Sequence, residues 1–349
     1  MLNDNIEIKH WRKIRSFLKE NYSNKYILTK KKVFDYYFLD KKKNCYNIIN
    51  YHKKGKIIGI LGYFKSIFIW DKNNSLVKGV WTANWVVDKL FRNGVGVILM
   101  RRLQELNKIV MGQGAGVENV RIVSKMKNEY YNYINRVIFY NNLKEIKYFD
   151  KKIRKICDCK LSKINTDITY ASEKSILEHF KPDWKIYKYY RYCTLRSPSY
   201  IIQRYLKHPF FDYKILMTGK KKNTSLLVFR VEKISNGKSI IRILELIVPS
   251  TEQGKKNANS LINEVKRIFL IKKYIFIDFF CSNEIINKFF LKNKFLNAKN
   301  FKIPIKLSPV QEKIVNQNLE VFYKDLLKFK FAKSYITKSD GDQDRINLL

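Results

Sequence analysis

The sequence predicts an α/β chain, α+β in arrangement, built as two domains that are each a mixed, mostly antiparallel twisted sheet flanked by helices. Three observations lead there. Residues 85 to 104 read as a buried strand, a short loop and an amphipathic helix opened by Gly94 and Gly96. The same order of elements returns between Ser239 and Cys281. With 349 residues, 46% of them hydrophobic, the chain can fill two ordinary cores.

From the N-terminus, Trp11, Ile14, Phe17 and Leu18 share one face at helical spacing, so Lys9 to Tyr22 is read as a helix. Cys45 to Tyr51 and Ile57 to Ile69 are β-rich runs joined at Lys53-Lys54-Gly55. Leu76 to Val87 follows the polar turn Asp71 to Ser75, and the three runs make a meander. From Gly94 to about Lys108, the residues Val95, Leu99, Leu103, Leu106 and Val110 form one stripe, and Gly112 to Gly116 reads as a helix stop and turn. Val117 to Val123 reads as a strand, the aromatic stretch Glu129 to Asn141 as a helix, and Glu145 to Phe149 as a closing strand. A first domain over residues 1–150 is thereby complete.

Residues 151 to about 207, with Pro182 and Pro198, read as a connection plus the first helix of a second domain ending at 336. In that domain Ser225 to Glu232 and Ser239 to Val248 are strands, Gln253 to Leu270 a long helix, Tyr274 to Cys281 a strand and Asn283 to Leu291 a helix. Only Gly254 stands where the first half has two glycines, which speaks against a second phosphate site. Residues 337–349 form an Asp-rich tail.

Lys and Arg number 70 against 30 acidic residues, a net charge of +40 that concentrates nucleic acid, anionic lipid or phosphorylated ligands near the surface. Only 15 of the 70 are Arg and the basic residues are spread evenly, the pattern of a solvated lysine surface rather than a nucleic-acid stripe. Ile57 to Trp70, the most apolar stretch, is interrupted by Lys65 and is shorter than the ~20 residues a membrane span requires. The N-terminus shows no basic-then-apolar leader, so a cytoplasmic location is expected. Five scattered cysteines without paired spacing argue against a disulfide framework and a zinc site, and the four histidines have no ligand spacing. No metal is expected.

Glycine at 94 and 96 lets a ligand approach the backbone, and the free amides and positive dipole end of the following helix favour an anion. In this setting Arg92-Asn93-Gly94-Val95-Gly96 resembles the pyrophosphate motif of the GNAT superfamily of N-acyltransferases, which has the form Arg/Gln-x-x-Gly-x-Gly/Ala. Phe91 holds the place of the family's basic residue and Arg92 comes one position later, so the match rests on the amides of Asn93 to Val97. The resemblance implies two GNAT-like domains and acyl-coenzyme A as co-substrate. It would be held by Arg92, Asn93, Gly94, Val95, Gly96 and Val97, with its thioester carbonyl facing an amide near Val86 or Val87.

Two further stretches carry the resemblance. Ile138-Phe139-Tyr140-Asn141-Asn142-Leu143 is similar to the family's Tyr-x-x-Leu-Gly-Phe segment without its glycine, which implies Tyr140 as general acid. A phenol of pKa about 10 can protonate a thiolate whose conjugate acid is near 8.5. Tyr140 is also one of 23 tyrosines in an aromatic stretch, where packing is the ordinary role. The tail from Thr337 to Asn347, and Trp81-Thr82-Ala83-Asn84-Trp85, resemble tandem GNAT proteins that acylate the amino group of a nucleotide-linked sugar for surface polysaccharides. That implies Asp340 and Asp342 as catalytic carboxylates, substrate contacts at Asn84, Trp85, Asp344 and Arg345, and a second domain that shapes the acceptor site. By composition alone the tail reads as a solvated terminus, and only the resemblance sets the functional reading beside it. Two other functions stay open: aminoacyl transfer from charged tRNA, and nucleic-acid binding on a degenerate GNAT fold.

Overall fold

The computed structural model describes residues 1–22, 26–70, 73, 75–114, 129–140, 167–220, 223–233, 238–298, 319–324, 329, 331–341 and 344. Strand β1 (Leu2–Asn3) pairs with β2 (Ile48–Lys53), β2 with β3 (Lys56–Trp70) and β3 with β4 (Ser75–Val87), all antiparallel. Lys54 and Gly55 turn the β2–β3 hairpin at φ 47° and 76°, the left-handed pair that such a two-residue turn requires. Adjacent residues of these strands alternate between two cores. Ile48, Ile60 and Ala83 pack with α1 (Trp11–Asn21) and α2 (Lys31–Phe38), while Ile49, Leu61 and Val80 pack with α3 (Val95–Leu106).

Helix α3 ends at Leu106, and Val110 opens strand β5 (Val110–Gln113) instead of extending the helical stripe. Gly112 and Gln113, expected in a helix stop, are therefore in the sheet, because β5 is paired on both edges. Strand β6 (Glu129–Tyr140) corrects the helix expected over Glu129 to Asn141. Its Tyr, Ile, Val and Phe content favours extended backbone, and pairing with two strands overrides the helical spacing. Residues 117–123 and 145–149, and the expected domain boundary at 150, lie outside the described residues.

The second half contains β7 (Thr169–Tyr170), α4 (Glu173–His179), β8 (Cys193–Thr194), α5 (Pro198–Ile201) with a π turn over Ile202–Leu206, and β9 (Lys214–Thr218). It continues through β10 (Ser225–Lys233), β11 (Ser239–Ile247), α6 (Glu252–Ile271), β12 (Phe276–Cys281), α7 (Glu284–Lys292) and β13 (Leu319–Lys324). Strands β4 and β5 run parallel across α3, and β11 and β12 run parallel across α6, so the unit read twice in the sequence is built twice. The strand order is β1-β2-β3-β4-β5-β13-β6-β12-β11-β10-β9-β7. The halves exchange strands: β6 pairs with β12 of the second half, and β13 from late in the chain lies between β5 and β6. No helix among the described residues is long and apolar enough to cross a membrane.

The tail is interior. Residues 334–340 and Asp344 are buried, against the solvated-terminus reading. Cys281 bridges to Thr337, and Ser282 N–H donates to Ile336 O at 2.9 Å. Past the β11–β12 pairing, two tyrosine hydroxyls take backbone groups of Leu246 and Val248. Tyr335 accepts from Leu246 N at 3.0 Å and donates to Glu245 Oε2 at 2.7 Å; Tyr190 donates to Leu246 O at 2.7 Å and accepts from Val248 N at 2.8 Å. Tyr335→Phe should destabilise the protein by about 1–3 kcal/mol, because it strands a buried amide and a carboxylate oxygen. Urea unfolding midpoints measure this, and an unchanged midpoint contradicts it.

Candidate functional site

Parallel pairing of β4 with β5 spans Val80 and Trp81, and beyond it β4 bulges. The register with β3 shifts between Ile60 and Gly62, opposite Asn84 at φ 52°. Tyr26 Oη donates to Asn84 Oδ1 at 2.9 Å, so this side chain shapes the bulge. Past the bulge, Asp88 N–H donates to Ile58 O at 2.9 Å, and alternation turns the Val87 N–H to the opposite, open edge of β4. Val86, one residue earlier, faces its amide to β3.

The cradle forms where α3 begins. Asp88 accepts from Leu90 N at 2.9 Å and caps the turn Lys89–Phe91, and Gly94 at φ 85° redirects the chain into the helix with no side-chain cap. The first intrahelical bond runs from Ile98 N to Gly94 O at 3.1 Å, so the amides of Val95, Gly96 and Val97 precede it. Among the amides of Asn93 to Val97, that of Gly94 is spent on Arg92 O at 2.8 Å. Gly94 is required by its φ, since a Cβ there would meet nothing within 4 Å. At Gly96 a Cβ would stand 3.3 Å from Trp85 Nε1, so this glycine lets the indole pack beneath the helix start. Arg92 and Asn93 are exposed beside it.

The equivalent point of the second half is closed. Thr251 Oγ1 caps α6 by accepting from Gly254 N at 3.1 Å, and Glu252 adds a negative charge to the first turn. Gly254 serves the loop itself, since a Cβ there would fall 1.9 Å from Pro249 O. An anion meets open amides at α3 and a filled cap at α6.

A cavity of about 750 Å³ lies between α2, β3, the α5 turn and the tail, and Trp81 of β4 is in its wall. Its aromatic walls include Tyr36, Tyr37, Phe64 and Tyr200; Lys32, Lys41, Lys65 and Arg204 supply positive charge. A Cβ at Gly341, whose φ is 65°, would stand 3.6 Å from the Trp81 ring and 3.9 Å from Thr82 O, so the tail passes close to the opening of the β4–β5 cleft.

A relay holds it there. Trp81 Nε1 donates to Thr194 Oγ1 at 2.9 Å, and Thr194 donates to Asp340 Oδ1 at 2.8 Å. Asp340 Oδ2 accepts from Arg196 Nη2 at 2.6 Å and from Thr337 N at 2.9 Å. Arg196 Nε reaches Glu245 Oε1 at 3.1 Å, and burial pushes the Glu245 carboxyl upward even beside that arginine. Asp344 accepts from Tyr213 Oη at 2.5 Å and lies 3.0 Å from Arg230 Nη1. Arg230 continues to Glu232, Arg242 joins Glu232 to Asp278 at 3.0 and 2.9 Å, and Arg136 meets Asp278 at 2.7 Å. Burial raises Asp278, but Arg242 and Arg136 override it and hold the carboxyl below its ordinary range. Burial and the nearby Arg242 lower the Lys338 ammonium to about 7.

The structure thus brings Trp85, Val87, Val95, Gly96 and Val97 to one cleft, and Asp340 to the cavity that meets it at Trp81. Asp344 is buried and committed to Arg230 and Tyr213. Asp342 and Arg345 lie outside the described residues. Tyr140 does not join the site: it is fully buried at the end of β6 opposite Phe276, and β5 and β13 separate its strand from β4. Three strand spacings alone amount to about 14 Å. Reading the residues one by one missed Tyr36, Tyr37, Arg196, Arg204 and His208. The available signal was the rarity of Arg in a lysine-rich chain.

His208 Nδ1 accepts from Phe210 N at 3.2 Å and Phe211 N at 3.0 Å, which places its proton on Nε2, 3.0 Å from Tyr37 Oη. Burial, then Arg204 and Arg230, push its pKa from 6.5 down to about 2. Between those pH values the unfolded chain binds the extra proton, so this stabilisation is complete above pH 6.5 and is lost as pH falls toward 2. His208→Gln should flatten the decline of the urea midpoint between about pH 6.5 and 4; parallel declines in variant and wild type contradict it.

No protein-family model matches the chain, and no curated protein matches it in sequence. Solved structures do match. A Saccharomyces cerevisiae N-myristoyltransferase with bound myristoyl-CoA and inhibitors is 10% identical at a TM-score of 0.57, covering 93% of this chain and 79% of that one. A GCN5-related N-acetyltransferase from Anabaena variabilis is 12% identical at 0.52, covering 92% and 72%, and one from Kribbella flavida is 12% identical at 0.50, covering 80% and 63%. The chain therefore has a mixed α/β fold similar to that of the GNAT N-acyltransferases.

Proposed function

We propose that the protein is an N-acyltransferase that moves an acyl group from acyl-coenzyme A to the amino group of a nucleotide-linked amino sugar. The observation that carries this reading is the meeting, at Trp81, of an uncapped helix cradle, a splayed parallel strand pair and a basic, aromatic-walled cavity. A fold shared with an N-myristoyltransferase solved with myristoyl-CoA supports it.

The cradle fits a pyrophosphate: three amides open without a side-chain cap, at the positive end of a helix dipole. When bound, acyl-coenzyme A supplies the thioester that makes the acyl carbon reactive. Val87 N–H is the donor that β4 offers to a carbonyl oxygen in the cleft. The cavity holds the acceptor, with Trp81 at the end that meets the β4–β5 cleft. Asp342, two residues past Asp340, is the carboxylate we assign to take the amine proton. Asn84 contributes by holding the bulge, and Trp85 by packing against Gly96.

Gly96→Asp puts a carboxylate into the first turn of α3, beside the open amides, where it repels a pyrophosphate, and it crowds the Trp85 indole 3.3 Å from the new Cβ. Coenzyme A affinity should fall at least about tenfold by calorimetry, measured on protein whose cooperative urea transition shows it folded. Unchanged affinity ends the cofactor assignment. Tyr140→Phe should leave turnover, followed as thiol release with amino-sugar nucleotides, at the wild-type rate; loss of turnover at intact stability would return Tyr140 to the mechanism.

A further inference from the structure

Two hydrogen-bond donors on the cavity wall, a guanidinium nitrogen of largely buried Arg204 and the hydroxyl of half-buried Tyr37, lie beside each other, close enough for Arg204 to act on the Tyr36 and Tyr37 phenols. The first is on Arg204, whose side chain is 10% exposed. Its Nε and Nη2 donate to Ser339 O at 3.2 and 2.9 Å, while Nη1 donates to nothing. The second is the hydroxyl proton of Tyr37. The Phe210 and Phe211 amides occupy His208 Nδ1, so Nε2 carries the ring proton and donates to Tyr37 Oη at 3.0 Å. The Tyr37 oxygen is thereby an acceptor toward His208, and its own O–H has to point elsewhere. Burial pushes this phenol up to about 12, so it keeps its proton at neutral pH.

A guanidinium donor and a hydroxyl left without an acceptor are costly in such surroundings, and both residues line the same cavity. The carboxylates that line it are ion-paired, Asp35 with Lys31 and Asp340 with Arg196, and Lys65 is paired with Asp40, so Lys32 and Lys41 carry the preference of this wall for negative charge. We infer that Arg204 Nη1 and the Tyr37 hydroxyl form a receptor for an oxyanion of the acceptor, a phosphate or a carboxylate, with His208 orienting the tyrosine. The inference rests on the acceptor reading of the cavity and deepens it: the acceptor is an amine that also carries an anionic group. Arg204 and Tyr37 grip that group, while the amine lies at the Trp81 wall.

The test is calorimetric titration with uridine diphosphate and with glucuronate, with coenzyme A present at saturation so that the α3 cradle is filled. Wild type should bind one probe, and Tyr37→Phe and Arg204→Met should each weaken it at least about tenfold. Preference for uridine diphosphate identifies the group as phosphate, and preference for glucuronate as carboxylate. Arg204 also holds the tail through Ser339 O, so Tyr37→Phe, which removes one hydroxyl without changing charge, decides if Arg204→Met fails to fold. Binding untouched by Tyr37→Phe overturns the receptor, as does failure of both probes to bind. If coenzyme A itself does not bind, the acyltransferase reading falls, and the same Tyr37→Phe comparison without it still decides the anion site.

Discussion

The structure hangs on a buried lattice of arginines and carboxylates. Arg136, Arg196, Arg204, Arg230 and Arg242 converge with Glu232, Glu245, Asp278, Asp340 and Asp344, five positive groups against five negative ones. Taking such charges out of water is costly, and removing a single partner from a buried pair costs about 3–5 kcal/mol. The lattice is thus a set of mutual constraints more than a source of net stability. Its members come from β6, β10, β11, β12, the β8–α5 loop, the α5 turn and the tail, so pairing Asp340 with Arg196 and Asp344 with Arg230 fixes the course of the tail. That course carries Gly341 to Trp81.

The same constraint explains why two similar halves differ in what they can hold. In the second half, the β11–β12 cleft is occupied by the hydroxyls of Tyr190 and Tyr335, and Thr251 closes the helix start. In the first half, the β4–β5 cleft meets a glycine start with open amides. The tail that fills one cleft forms a wall of the cavity beside the other. Duplication supplies the frame, and polar satisfaction decides which copy stays open.

The repeated strand, helix and strand units were legible in the sequence, since Leu99 and Leu103, or Leu261 and Val265, recur at helical spacing whatever surrounds them. The cradle was legible for the same local reason. Glu129 to Tyr140 misled because its spacing fits a helix while its residue types fit a strand, and only the presence of β12 and β13 settles the matter. Tyr140 went with it. The exchange of β6 and β13 left no local mark, because strand pairing partners are chosen by contacts far apart in the chain.

By itself, the sequence determined the α/β class, the two repeated units, the glycine-opened helix start at Gly94 and Gly96, and an anomalous run of Asp at the end. These follow from periodicity and from the backbone freedom of glycine, which act over a few residues. Only the tertiary structure decided that Asp340 and Asp344 are buried and ion-paired, that Tyr37 and Arg204 face one cavity, and that Tyr140 stands apart from it. Burial and charge pairing depend on which distant groups arrive together, and an isolated residue carries no record of that.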